Sequence, residues 1–117
     1  MKYLKNYKIF EKISTEIIED IQDFLIDLED QGFEIIYKPF KDDKNLQIKI
    51  INTEKFTYSD IEYYIDRLIS YMSGKPEKYK CAKTNFILDR YDDDYDCDIY
   101  FTSMIFYPPH ENKKHFS

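Results

Sequence analysis

Between Ile13 and Gly32 apolar residues recur at spacings of three and four: Ile13, Ile17, Ile18, Ile21, Phe24, Leu25 and Leu28. That spacing forms one stripe of an α-helix, so the run predicts an amphipathic helix over 13–32 with one side buried. Ser14 or Thr15 is placed to cap its start, and Glu16 to sit near the positive end of the helix dipole. Gly32 suits the left-handed position just past a helix, with Phe33 folding back onto Leu28 in a Schellman ending. The other side carries Glu16, Glu19, Asp20, Asp23, Asp27, Glu29 and Asp30, and no Lys or Arg. A greasy stripe must be covered. A wholly anionic face must meet water, counterions or a basic partner.

Past Gly32 the period switches to two. Phe33, Ile35 and Tyr37 alternate with Glu34, Ile36 and Lys38, which predicts a strand over about 33–38 that ends, or lies at a sheet edge, at Pro39. Lys41–Asn45 reads as a polar turn. Leu46, Ile48 and Ile50 then predict a second strand over about 46–52, paired with the first as an antiparallel hairpin. Ser59-Asp60-Ile61-Glu62 fits a capping box. Ile61, Tyr64, Ile65, Leu68 and Met72 continue from it as a second helical stripe, ended by Gly74 and Pro76.

Residues 78–90 and 97–107 read as two longer strands with apolar groups on both faces. The resulting expectation is an α+β, two-layer fold of order αββαββ, with two helices packed on one face of a four-stranded antiparallel sheet. It is one domain over 1–117, with a basic N-terminal arm at 1–12 and a polar tail at 108–117. The second sheet face then needs a cover: the arm, another subunit or a partner. A faint echo at an offset of forty residues, Asp20-Ile21 against Asp60-Ile61 and Leu28 against Leu68, needs no duplication, since any two amphipathic helices would give it.

The formal net charge is −6, and it is unevenly placed. Residues 1–12 sum to +3, residues 13–32 to −7 and residues 91–107 to −5. An acidic chain of this kind is not expected to bind nucleic acid or an anionic membrane. Two glycines are too few for a glycine-rich phosphate loop. No stretch approaches a membrane span, and no signal-peptide pattern is visible. The expectation is a cytoplasmic chain with Cys81 and Cys97 reduced rather than bridged.

Little of the chain has the form of a catalytic or metal site. Asp92, Asp94, Asp96 and Asp98 repeat like the first ligands of a calcium loop, but Cys97 stands where such a loop needs glycine and Ser103 where it needs glutamate. A solvated hairpin turn is the simpler reading of Asp92–Asp98. His110 and His115 lie in the tail, poorly placed for a rigidly held base. Lys78, Lys80 and Lys83 with Tyr79 make a small basic-aromatic patch of the kind that stacks bases, against the overall charge. No cofactor is expected, and the protein is not expected to be an enzyme.

The abundance of Ile, Lys, Tyr, Asp and Asn, the short length, and the run EDIQDFLIDLEDQGFEI resemble the style of small accessory proteins from AT-rich bacteriophage genomes. That resemblance implies a small binder acting on a host system, placed in the host cytoplasm, or a minor virion component. The leading expectation is a non-enzymatic interaction protein that docks a protein partner with a basic surface through Glu16, Glu19, Asp20, Asp23, Asp27 and Asp30, aided by its aromatic surface. Inhibition of a host nucleic-acid-handling or defence complex is one such role. Self-association as a minor structural subunit is the alternative. A small metal-binding protein or enzyme built on Asp92–Asp98 is the third.

Overall fold

The computed structural model describes residues 15–40 and 42–109. Helix α1 spans Thr15–Asp30, strand β1 Glu34–Phe40 and strand β2 Asp42–Asn52. A 3₁₀ turn at Tyr58–Asp60 leads into helix α2, Glu62–Ser73. Strands β3, Lys80–Lys83, β4, Leu88–Asp92, and β5, Cys97–Tyr107, complete the chain. The fold is α+β, with two helices on one face of an antiparallel sheet. The arm at 1–12, Ile13, Ser14 and both histidines lie outside the described residues.

The α1 stop is built as its sequence indicates. Gly32 adopts φ +101°, the Phe33 N–H donates to the Leu28 carbonyl at 3.0 Å, and the Gly32 N–H donates to the Glu29 carbonyl at 3.0 Å. These are the two bonds of a Schellman motif, and they satisfy carbonyls that a helix end otherwise leaves free. Phe33 and Leu28 are both buried, so the ending also turns the chain directly into β1.

The sheet has five strands rather than four, in the order β1-β2-β5-β3, with β4 also paired to β5. The expected long strand at 78–90 is broken. Lys80–Lys83 pairs with Met104–Tyr107, and Leu88–Asp92 pairs with Cys97–Phe101. Residues 84–87 therefore stand opposite only Thr102 and Ser103, a bulge that splits one edge strand into two. Thr84 and Thr102 share a hydroxyl–hydroxyl hydrogen bond of 2.9 Å at the break, which satisfies the buried Thr102 side chain.

Two local expectations are corrected. The β1–β2 ladder continues past Pro39, with a register shift between Pro39 and Phe40, so residues 42–45 are strand and not a free polar turn. Phe40 pairs with Asp42 and Pro39 with Leu46, so residues 43–45 are the extra residues of a bulge in the ladder. The cap before α2 also lies earlier than Ser59 and Glu62. The Asp60 carboxylate accepts the Thr57 N–H at 2.9 Å, and Ser59 shares a hydroxyl bond with Thr57. Gly74 is in a right-handed conformation, φ −84°, and the left-handed residue beyond α2 is Lys78.

Alternate residues of β1, β2 and β5 face the helices: Ile35 and Tyr37, Leu46, Ile48 and Ile50, Met104 and Phe106. They meet Ile17, Ile18, Ile21, Leu25 and Leu28 of α1 and Ile65, Leu68 and Met72 of α2 in one cluster. Each such side chain contributes roughly 1.5–3 kcal/mol of burial, so this layer fixes α1 against the sheet. The helices run antiparallel, since Gln31 meets Tyr64 at one end and Asp20 meets Tyr71 at the other.

Candidate functional site

With its apolar stripe held by the sheet, α1 turns its acids outward. Glu16, Glu19, Asp23, Asp27 and Asp30 are exposed, and Asp20 is half-buried. At 1.5 Å rise per residue, steps of three or four place successive carboxylates about 5–6 Å apart along the rod. Among the described residues, no Lys or Arg lies within ion-pair distance of any of these six carboxylates. Two groups temper the face from the α2 side: the Tyr71 hydroxyl donates to Asp20 Oδ2 at 2.5 Å, and the Lys75 ammonium, 4.5 Å from the centre of the Tyr71 ring, feels the charges of Asp20 and Glu16. Burial raises the Tyr71 pKa, the Asp20 bond raises it further, and Lys75 opposes both.

The acidic face is a groove at its centre. Asp20, Asp23 and Asp27 rim a cavity of about 370 Å³ between α1 and α2, with Phe24, Ile26 and Tyr71 in its walls. Phe24 and Tyr71 pack ring to ring, centroids 5.0 Å apart. Ile26 is half exposed, an unusual place for a large apolar residue between acids. The groove also holds one cation, Arg67, but its guanidinium lies over the Phe24 and Tyr63 rings at 5.2 and 5.5 Å, as a cation–π contact. The arrangement can hold a basic side chain whose stem lies on the rings and whose charge reaches the carboxylates. It brings Asp20, Asp23 and Asp27 together, and leaves Glu16 and Asp30 at the two ends of the helix.

The second acidic segment is a tight hairpin turn. The Asp96 N–H donates to the Asp92 carbonyl at 2.8 Å, and Asp96 takes a left-handed φ of 57°. Asp92 Oδ1 accepts the Asp94 N–H at 2.9 Å, and Asp96 Oδ1 accepts the Tyr91 hydroxyl at 2.7 Å. These carboxylates serve the turn itself. Among the described residues, no group of three or more His, Cys, Asp or Glu is placed to hold a metal ion.

The basic-aromatic patch does not form a stacking platform, because Tyr79 belongs to the core. The Lys83 ammonium lies over the Tyr58 ring at 4.9 Å. Cys81 pairs opposite Phe106 while Cys97 begins β5, nine residues away and thus about 30 Å along the strand. Both thiols are free. Burial pushes the Cys81 thiol up to about 11, which makes it a poor nucleophile. No described helix is long and apolar enough to cross a membrane.

Sequence reasoning missed a second concavity, on the sheet face away from the helices, lined by Ile36, Lys49, Ile51, Arg90, Tyr95 and Ile99 among others. Its sequence signals are Ile36 and Ile51, apolar residues on the otherwise polar sides of β1 and β2, together with the two-faced apolar pattern of 97–107. Comparison with protein-family models, with curated proteins and with solved structures finds no match.

Proposed function

We propose that the protein is a non-enzymatic interaction module that docks a basic surface of a protein partner along α1. The observation that carries this reading is an unbroken helix whose six candidate carboxylates meet no described internal cation at ion-pair distance. An anionic rod of this kind steers a basic partner and fixes its register. The groove at Asp20, Asp23 and Asp27 adds apolar walls that a purely solvating surface would not need. In the setting that the phage resemblance implies, the module acts by occupying a basic groove of a host nucleic-acid-handling or defence complex.

The test is to identify a co-purifying partner, reconstitute the complex, and compare wild type with an Asp23→Lys/Asp27→Lys variant. Loss of binding, with wild-type affinity falling as salt rises, supports the reading. An affinity and salt slope unchanged in the variant rejects it.

A second reading, a minor structural subunit of an assembly, is favoured by one feature. Phe86, Leu88 and Tyr91 are exposed along the broken β3/β4 edge. Exposed apolar residues beside an open strand edge are a route to contacts between copies. A monomer by sedimentation at high concentration speaks against it.

A further inference from the structure

The sheet face turned away from the helices holds a cavity of about 510 Å³. That is within the range of small-molecule sites, roughly 300–1,000 Å³. Its floor is apolar and comes from three adjacent strands: Ile36 of β1, Ile51 of β2 and Ile99 of β5. Ile51 and Ile99 are 3% and 1% exposed, yet neither belongs to the cluster between sheet and helices. One wall is the β4–β5 turn, which bends over this face. There the Tyr95 hydroxyl donates to the Glu34 carboxylate of β1, tying the turn across the width of the sheet.

We propose that this cavity binds a small monoanion with an apolar body, its charged head beside Lys49 and its body on Ile36, Ile51 and Ile99.

The charges decide the class of ligand. Two of the three acids around the cavity, Glu34 and Asp92, already have donors. Glu34 accepts from Tyr95, and Asp92 accepts the Asp94 N–H at 2.9 Å and Arg90 at 3.4 Å. Asp94 itself is exposed, at the rim. Lys49 is different. Its ammonium lies 5.1 Å from the centre of the Phe101 ring, and the Arg90 guanidinium lies 5.2 Å from the same centre. Two cations are thus gathered on one ring, and Lys49 has no ion pair among the described residues. Burial holds the Lys49 ammonium below its ordinary pKa, and the charges of Arg90 and Lys38 push it the same way, against a smaller opposite pull from Asp92. A partly desolvated cation without an ion pair, above an apolar floor, is stabilised by an anion and by nothing cationic. The site shares no residue with the acidic groove and does not rest on the docking role of α1.

The probe is decanoate, titrated into the full chain below its micelle concentration and followed by methyl and amide NMR. Decanol and decyltrimethylammonium serve as neutral and cationic controls. The expected result is a Kd on the order of 1 mM for decanoate, with shifts centred on Ile36, Ile51 and Ile99. Lys49→Met keeps the stem and is expected to weaken binding about tenfold. Decanoate is also expected to raise the Lys49 pKa, a change that a merely structural lysine would not show. Ile36→Glu, at a half-exposed floor position, is expected to abolish binding if Lys49→Met fails to fold. Equal or tighter binding of decanol or the cationic control, shifts centred elsewhere, or folded Lys49→Met binding within twofold of wild type would each overturn the proposal.

Discussion

The Tyr71 hydroxyl reaches from α2 to the Asp20 carboxylate of α1, 2.5 Å away and 51 residues earlier in the chain. It is the one described bond that ties an acid of the candidate docking face into the fold. Tyr71→Phe keeps the ring contact with Phe24 and removes only the donor. It is expected to lower stability by about 1–2 kcal/mol, the range for a hydrogen bond to a charged group at a half-buried site. A double-mutant cycle with Asp20→Asn checks it: non-additive losses are expected, whereas simple addition would mean that the two residues do not interact. Exposed Asp23 and Asp27 lack such a tie, so their replacement is expected to change stability by no more than about 0.5 kcal/mol.

Gly32 closes α1 at φ +101°, with no atom within 4 Å of where a Cβ would stand. The objection to a side chain there is conformational and not steric crowding by neighbours. Gly32→Ala is expected to cost about 1–2 kcal/mol. For a domain near 100 residues this corresponds to a fall of roughly 4–8 °C in Tm per kcal/mol. An unchanged melting point would mean that the Schellman ending is not formed in solution.

The start of α2 offers a comparison between neighbouring acids. Asp60 accepts the Thr57 N–H, while Glu62 lies inside the helix with no capping bond. Asp60→Ala is expected to cost about 1 kcal/mol and Glu62→Ala appreciably less, measured by denaturant unfolding. The reverse order would place the cap at Ser59, as the sequence pattern suggests.

Cys81 sets an alkaline signature. Its thiol is raised from 9.0 to about 11, mainly by burial against the core, with Lys83 opposing. A raised native pKa means that the folded chain keeps a proton the unfolded chain releases. Stability is therefore full below pH 9 and declines as pH rises towards 11. Tyr71, Tyr79, Tyr91 and Tyr95 are shifted the same way from 10.0 and add to the decline as pH nears 10, so the difference between wild type and Cys81→Ala isolates the thiol. Urea unfolding at pH 8, 9 and 10 under reducing conditions should show a shallower decline for Cys81→Ala than for wild type. Parallel declines would contradict this.

The parts of the fold legible in the sequence are those fixed by one element's own periodicity. The stripe Ile17–Leu28 and the stop at Gly32 define α1 without reference to anything else, and β5 runs over 97–107 as its apolar pattern indicates. What was not legible depends on pairing. The break at 84–87 contains neither Gly nor Pro, and arises because Leu88–Asp92 and Lys80–Lys83 meet β5 in registers two residues apart. The bulge at residues 43–45 likewise depends on the register in which Phe40 meets Asp42 and Pro39 meets Leu46. The acids of α1 could be placed from spacing alone. The cavity beside Lys49 could not, because its floor combines single residues from three strands and its wall needs the turn at Tyr95 to fold back onto Glu34.

The exposed charge of α1 is most directly probed by titrating hexalysine into the protein at low salt and following backbone amides by NMR. The expected result is that shifts concentrate between Glu16 and Asp30, disappear in Asp23→Lys/Asp27→Lys, and are smaller in the Asp92–Asp98 turn, where Asp92 and Asp96 are engaged locally. Shifts spread evenly over both acidic segments, or unchanged in the charge-reversed helix, would contradict the assignment of α1 as the docking face.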